Sequence, residues 1–287
     1  RTAPSQVKSK SDPDMTMTPS ALFDLTGKTA LVTGGATGIG RMATTGLMAA
    51  GARVLIASRK AEACVAVAAE LNVLDVSGTA EGFGGDVGSE AGIAALCREI
   101  TQRTDKLNIL INNAGRTWGA PLGQFPFEAW EKVMTLNVAG MFHLTQSLLP
   151  LLSAAASHDD PARVVNTGSV MGEVPMGDKA YSYAVSKSGV HHMTRILAKE
   201  LAPRQITVNA LAPGPFPSKM TAFAIAHDEG ATRVASGVPI GRLGRPHDVA
   251  AALQFLCGHG GSYVTGAVIP LSGGINVATG PSIFGDE

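Results

Sequence analysis

From Gly27 onward the chain alternates short apolar runs with longer stretches of helical periodicity, with no tight-turn signal joining one apolar run to the next. Thr29–Thr33, Arg53–Ala57, Ile109–Ile111, Arg163–Asn166, Thr207–Leu211 and Ala267–Pro270 read as strands. Gly82–Asp86 reads as one more, identified by its place in the alternation rather than by its composition. Between them Ile39–Ala50, Ala61–Leu71, Glu90–Thr101, Phe127–Leu152, Ser182–Leu201 and Pro246–Cys257 read as helices. A strand that is always followed by a helix returns to the sheet in the same direction, so the strands run parallel and the helices must cover both faces. The expected fold is α/β, a doubly wound parallel sheet of about seven strands with helices on both faces. No composition break or linker follows residue 20, so residues 21–287 are expected to form a single domain.

Two stretches stand outside the alternation. Ser153–Pro161 is small and polar, and reads as a surface loop. Residues 213–241 are too long for an ordinary connection, and insertions of that length are commonly lids. This one carries Phe216, Met220, Phe223 and Ile225, apolar side chains able to cover a substrate. Residues 1–20 are polar, rich in Ser, Thr and Pro, and lack the apolar centre of a secretory signal; they are expected to be a flexible extension, and cytosol is the expected location.

Composition narrows the partners. Formal net charge is zero, which offers no general attraction to nucleic acid or to an anionic membrane. No apolar stretch approaches the roughly 20 residues of a membrane helix. Cys64, Cys97 and Cys257 are far apart and outside any metal-binding spacing, so they read as reduced, buried thiols with no metal. His143, His191 and His192 have no acidic or histidine partner at ligand spacing and read as packing or polar contacts.

The segment Thr29-Ala30-Leu31-Val32-Thr33-Gly34-Gly35-Ala36-Thr37-Gly38-Ile39-Gly40 is an apolar strand, a glycine turn and a helix start. Glycine lets the backbone approach a pyrophosphate, and the helix N-terminus offers unpaired N–H groups and the positive end of its dipole. Gly34, Thr37, Gly38, Ile39 and Gly40 are therefore the candidate cradle of a dinucleotide in a Rossmann-like sheet. The second strand ends in Ser58-Arg59-Lys60, where an acidic residue would bind a ribose 2′-hydroxyl and repel a 2′-phosphate. A neutral Ser58 followed by cationic Arg59 and Lys60 favours the phosphorylated nucleotide, NADP(H), since Arg binds phosphate in a bidentate fork.

The TGxxxGxG spacing departs from GxGxxG and resembles the short-chain dehydrogenase/reductase family. Other motifs resemble it in the same order. Gly85-Asp86-Val87 matches the family's aspartate after the third strand, which implies an adenine contact for Asp86, with Val87 beside it. Asn112-Asn113-Ala114-Gly115 matches the NNAG element, which implies that Asn113, Ala114 and Gly115 line the cofactor cleft. Asn137 in LNVAG, Ser169 at a strand end, and Tyr183 with Lys187 on the next helix match the family's four catalytic positions. Tyr183 follows Ser169 by fourteen positions, one more than the commonest family spacing. Asn209 to Gly214 resembles NxxxPG, implying cofactor contacts for Pro213, Gly214, Phe216 and Ser218. The resemblance spans about residues 24 to 275.

The chemistry calls for these residue types. Carbonyl reduction needs a proton as hydride arrives, and a phenol of pKa near 10 is a poor donor–acceptor partner at neutral pH. A Lys187 ammonium together with the charge of the oxidised nicotinamide is expected to lower the Tyr183 phenol; on the family's scheme Lys187 also holds the nicotinamide ribose, Ser169 steadies the carbonyl oxygen, and Asn137 holds a water that returns the proton. Trp118, Val174, Met176, Met220 and Phe223, with Phe216, make an expected apolar substrate wall. The sequence around them resembles β-ketoacyl reductases linked to rhamnolipid synthesis, which implies 3-oxoacyl thioesters, while small or cyclic ketones stay open. Sugar-acid dehydrogenases of the same family are the alternative, with Lys219 and Arg233 as candidate cations for the acid. A non-catalytic NADP-binding sensor is a second class, and loss of the tyrosine or lysine would favour it; both are present. The resemblance also implies a homotetramer or homodimer, with Ala184, Ser188 and Met193 on the paired helix face.

Overall fold

A computed structural model describes residues 17–176, 179–218, 220–225 and 227–278, with the side chains of Phe223 and Ile225 left aside. In chain order the elements are helix α1 (Pro19–Phe23), strand β1 (Thr29–Thr33), α2 (Gly38–Ala49), β2 (Arg53–Ser58), α3 (Ala61–Leu71), β3 (Thr79–Gly84), α4 (Glu90–Thr101) and β4 (Ile109–Asn112). A long helical region follows, made of α5 (Phe127–Met134), a π-helical stretch Thr135–Gly140, α6 (Met141–Ser147) and α7 (Leu149–Ala155). The second half continues with β5 (Ala162–Thr167), α8 (Tyr181–Leu201), β6 (Ile206–Pro213), α9 (Ala222–Ile225), α10 (Asp228–Ser236), α11 (Pro246–Cys257) and β7 (Val268–Leu271).

The seven strands form one sheet in the order β3-β2-β1-β4-β5-β6-β7, and every neighbouring pair is parallel. The expected doubly wound α/β sheet is therefore the fold of this chain. Period-2 alternation sorts its side chains: Ala30, Val32, Val54 and Ile56 join one core with Leu47 of α2 and Leu253 of α11. Leu31 and Leu55 join the opposite core with Leu96 of α4 and Leu197 of α8. Chain order reverses between β1 and β4, and in such sheets the crevice at that switch point, beyond the carboxyl ends of the strands, is where ligands bind.

Four expectations change. Strand β3 starts three residues earlier than Gly82–Asp86, in register Arg53↔Thr79 to Ser58↔Gly84 with β2. It is an edge strand with polar exposed positions, Glu81 pairing with Arg53 at 3.0 Å, so its composition gave little strand signal. The expected single helix Phe127–Leu152 is broken by the π-helical stretch and then bends by 55° before α7. Gly140 sits in that stretch because a Cβ there would overlap the Val87 carbonyl oxygen. Residues expected to be flexible up to position 20 include the start of α1, where Thr18 Oγ1 accepts the Ala21 N–H at 3.3 Å. Among the thiols, Cys64 and Cys257 are buried but Cys97 is only partly so.

Among the described residues, no single helix is long and apolar enough to cross a membrane.

Candidate active site

The carboxyl ends of β2, β1, β4, β5 and β6 open into one cleft of about 390 Å³. Its first wall is the glycine turn after β1. Gly34 and Gly38 have φ of +65° and +52°, conformations that favour glycine. At Gly40 a Cβ would overlap the Gly34 carbonyl oxygen and stand 2.5 Å from Asn113 Nδ2. Thr37 is the N-cap of α2 but makes no side-chain cap hydrogen bond, so the first-turn N–H groups are left to a ligand in the cleft. Opposite, Asn113 clamps the turn: its Nδ2 donates to the Thr33 and Gly34 carbonyls at 2.9 and 3.3 Å. The backbone N–H groups of Asn113 and Ala114 both donate to Thr33 Oγ1 at 3.0 Å.

The β2 end of the cleft carries Ser58, Arg59, Asp86 and Val87. Arg59 is exposed. Ser58 Oγ turns back toward Cys64 Sγ at 3.0 Å and the Lys60 backbone, and Lys60 itself does not line the cleft because it is the N-cap of α3. A glycine cradle beneath an uncapped helix start, with neutral Ser58 and cationic Arg59 at the β2 tip itself, fits a dinucleotide carrying an extra phosphate.

At the β5 end the cleft brings together Ser169, Tyr183 and Lys187, with Gly115 and then Pro213, Gly214, Phe216, Ser218 and Met220 closing the far side. Tyr183 and Lys187 share a face of α8 by their four-residue spacing. Ser169 caps the 3-10 turn Val170–Gly172, its Oγ accepting the Met171 N–H at 3.2 Å, which leaves the hydroxyl proton to be donated. Lys187 is buried, its Nζ donating to the Thr167 carbonyl at 2.6 Å and standing 5.5 Å from the Tyr183 ring centroid. Burial lowers its ammonium to about 8.

The expected depression of the Tyr183 phenol is not present in the protein alone. Burial pushes the phenol up, and only the Ser169 hydroxyl works against it.

Asn137 is 3 % exposed and does not line the cleft. It lies in the π-helical stretch, a feature frequent at functional sites. Its Oδ1 accepts the Arg116 N–H at 2.9 Å, and its Nδ2 donates to the Arg116 carbonyl and to Ser186 Oγ, each at 2.9 Å. The side chain thus ties the Arg116 backbone to Ser186, and Ser186 passes the connection to the Tyr183 carbonyl at 2.7 Å.

Of the expected substrate wall, Met220 and Phe216 line the cleft and Trp118, Val174 and Met176 do not. Trp118 sits beneath Lys132 Nζ at 5.8 Å, in a loop tied to the β5–α8 connection by Ala120 N–H donating to the Lys179 carbonyl at 3.0 Å. The Phe223 side chain and Lys219 lie outside what is described. Arg233 is exposed on α10, away from the cleft lining. The long insertion holds α9 and α10, which periodicity did not single out. Sequence reasoning also gave His191 no part in the site, although it lies one turn past Lys187 and its Nε2 accepts the Ser169 N–H at 3.3 Å.

Comparison with known proteins bears on this geometry. A family model described as short chain dehydrogenase matches residues 28–229. The rhamnolipids biosynthesis 3-oxoacyl-[acyl-carrier-protein] reductase of Pseudomonas aeruginosa is 48% identical over 256 residues, covering 89% of this chain and 98% of that protein. The 3-oxoacyl-[acyl-carrier-protein] reductase of Aquifex aeolicus is 37% identical over 252 residues, covering 88% and 98%. Among solved structures, the Pseudomonas aeruginosa RhlG/NADP active-site complex superposes with a TM-score of 0.85 at 46% identity, covering 90% of this chain and 99% of that one. A gluconate 5-dehydrogenase of Burkholderia cenocepacia, in complex with NADP and tartrate, gives 0.81 at 27% identity, covering 91% and 99%.

Proposed function

The chain belongs to the short-chain dehydrogenase family, and from that premise we propose that it is an NADPH-dependent reductase converting the ketone of a 3-oxoacyl thioester to a secondary alcohol. The observation that carries the reading is the single cleft that joins an uncapped glycine cradle to Ser169, Tyr183 and Lys187. NADPH, when bound, supplies the hydride. Gly34, Thr37, Gly38, Ile39 and Gly40 would hold its phosphates, Arg59 its 2′-phosphate, and Lys187 its nicotinamide ribose.

Each residue of the chain then has a task. Ser169 donates its free hydroxyl proton to the carbonyl oxygen and stabilises the charge that develops there. Tyr183 gives that oxygen its proton. Burial keeps the phenol protonated, so its proton is present when the carbonyl arrives, and the charge that develops on the carbonyl oxygen draws it across. Asn137 holds the Arg116 backbone and, through Ser186, the first turn of α8. Exposed Val185 and Ile196 on α8, with Phe127 on α5, support self-association as a homotetramer or homodimer.

The sugar-acid alternative is weaker on charge. The cations that line the described cleft are Arg59, at the β2 tip, and Lys187, already bound to Thr167. Neither leaves a guanidinium for a carboxylate at the reacting end, whereas a neutral 3-oxoacyl group asks for none. The test follows nicotinamide absorbance, offering NADPH or NADH against a short 3-oxoacyl thioester and a cyclic ketone, and NADP with gluconate. Fastest turnover of NADPH with the thioester is expected. Turnover of gluconate alone, or a preference for NADH, would overturn the substrate or the cofactor assignment respectively.

A further inference from the structure

Ser169 stands on a turn whose backbone is held from below by a side chain that the reduction itself does not use. His191 lies on α8 and is 3 % exposed. Tyr183, Lys187 and His191 follow at intervals of four residues and form one stripe along the helix. The His191 ring fills a slot between the two glycines that flank the Ser169 turn. A Cβ on Gly168 would overlap its Nε2, and one on Gly172 would stand 2.9 Å from its Cε1. Within the slot, Nε2 accepts the Ser169 backbone N–H at 3.3 Å.

This contact has a chemical requirement. A ring nitrogen facing an N–H accepts only if it carries a lone pair, so the proton of a neutral imidazole must sit on Nδ1. The charged groups around the ring are Glu173, with Oε1 3.9 Å from Nδ1, and the cations Lys187 and Arg195. Burial, then Lys187 and Arg195, keep the ring unprotonated at neutral pH. A protonated ring would point N–H against N–H and push the Ser169 turn away. The hydroxyl of Ser169 depends on that same turn, since its Oγ caps Met171.

We propose that His191 is a positioning residue for the reduction: by holding the Ser169 backbone N–H it sets the turn from which the Ser169 hydroxyl reaches the substrate carbonyl. The proposal rests on the reductase reading of Ser169. It is tested in the whole chain with His191→Phe, which places a slightly larger aromatic ring in the slot without the acceptor, and His191→Gln, whose amide oxygen restores an acceptor near the depth of Nε2. Ser169→Ala is the control. Expected for His191→Phe is a fall in kcat of about tenfold with a 3-oxoacyl thioester, with NADPH affinity within about twofold of the parent. His191→Gln should recover most of that loss.

Full kcat in His191→Phe while Ser169→Ala loses activity would overturn the proposal and leave the reductase reading standing. Equal losses in the Phe and Gln variants would overturn it as well. Full activity in Ser169→Ala would sink the reading of Ser169 and the proposal with it. Should His191→Phe fail to fold, ¹⁵N-histidine NMR of the unsubstituted enzyme gives the answer. One imidazole should keep its lone pair on Nε2 and not titrate between about pH 5 and 8, and titration of His191 in that window would refute the assignment.

Discussion

Lys187→Met should yield an enzyme without reductase activity that is nonetheless more stable than its parent when NADPH is absent. The buried ammonium has one hydrogen bond among the described residues, to the Thr167 carbonyl at 2.6 Å, and burial lowers its pKa from 10.5 to about 8. A displacement of that size is worth about 3 kcal/mol at 1.36 kcal/mol per unit. Methionine fills similar volume and needs no solvation, but it leaves the Thr167 carbonyl unpaired, which costs about 1–3 kcal/mol. The net gain is about 0–2 kcal/mol at pH 7, a rise in Tm of up to about 4 °C for a chain of this size. The pH dependence isolates the cause. Below about pH 8 the lysine is charged in both the folded and the unfolded parent, and the full penalty is present. Between about 8 and 10.4 the folded protein has released the proton while the unfolded chain still holds it, so the parent gains stability with rising pH and the gap closes. Thermal unfolding of both proteins at pH 7 and near pH 10 measures this. A variant less stable than the parent at pH 7, or a gap that does not change with pH, would refute the argument that the penalty is electrostatic.

Two further outcomes follow from the cleft. Arg59→Ala should weaken NADPH binding by about tenfold and leave NADH binding within about twofold, because an exposed guanidinium makes a charge-assisted bond that only the 2′-phosphate can accept. Equal losses for both nucleotides in fluorescence titration would remove Arg59 from that role. Gly40→Ala should abolish measurable binding of either nucleotide and lower Tm, since its methyl group overlaps the Gly34 carbonyl and crowds Asn113 Nδ2 at 2.5 Å, at a cost of about 1–3 kcal/mol. A variant that binds NADPH normally would show that the turn opens without cost.

What could be read from the residues depended on how local each signal was. β1, the glycine turn and the start of α2 are encoded within a dozen neighbouring residues, and the structure places them where the apolar run and the glycines predict. Ser169, Tyr183 and Lys187 were legible because a strand end and a four-residue helical spacing carry them into one cleft. Signals that arise only from packing were not legible. Close packing of Gly140 against the Val87 carbonyl accompanies the π-helical stretch, and Asn137 within it bonds the Arg116 backbone. Trp118, Val174 and Met176 sit on loops whose path periodicity does not describe, and they lie outside the lining of this cleft. The direction of the Tyr183 shift is set by how deeply the packed fold buries the phenol, which helical spacing alone does not fix.

The Asn113 clamp also orders events in time. It joins Thr33 and Asn113 across 80 residues of chain, and the central strand pair β1–β4 cannot form until the second of them exists. A ribosome that has finished β3 has released the whole glycine turn and Arg59, but not the groups that hold the turn shut. Pairings this distant along the chain are slow to close and leave apolar strand edges waiting. The nascent N-terminal half is therefore a period of exposure to chaperones and to aggregation. The nucleotide can reward folding only once β4 has emerged, and the reacting end of the cleft is completed later still, when β5, α8 and β6 arrive.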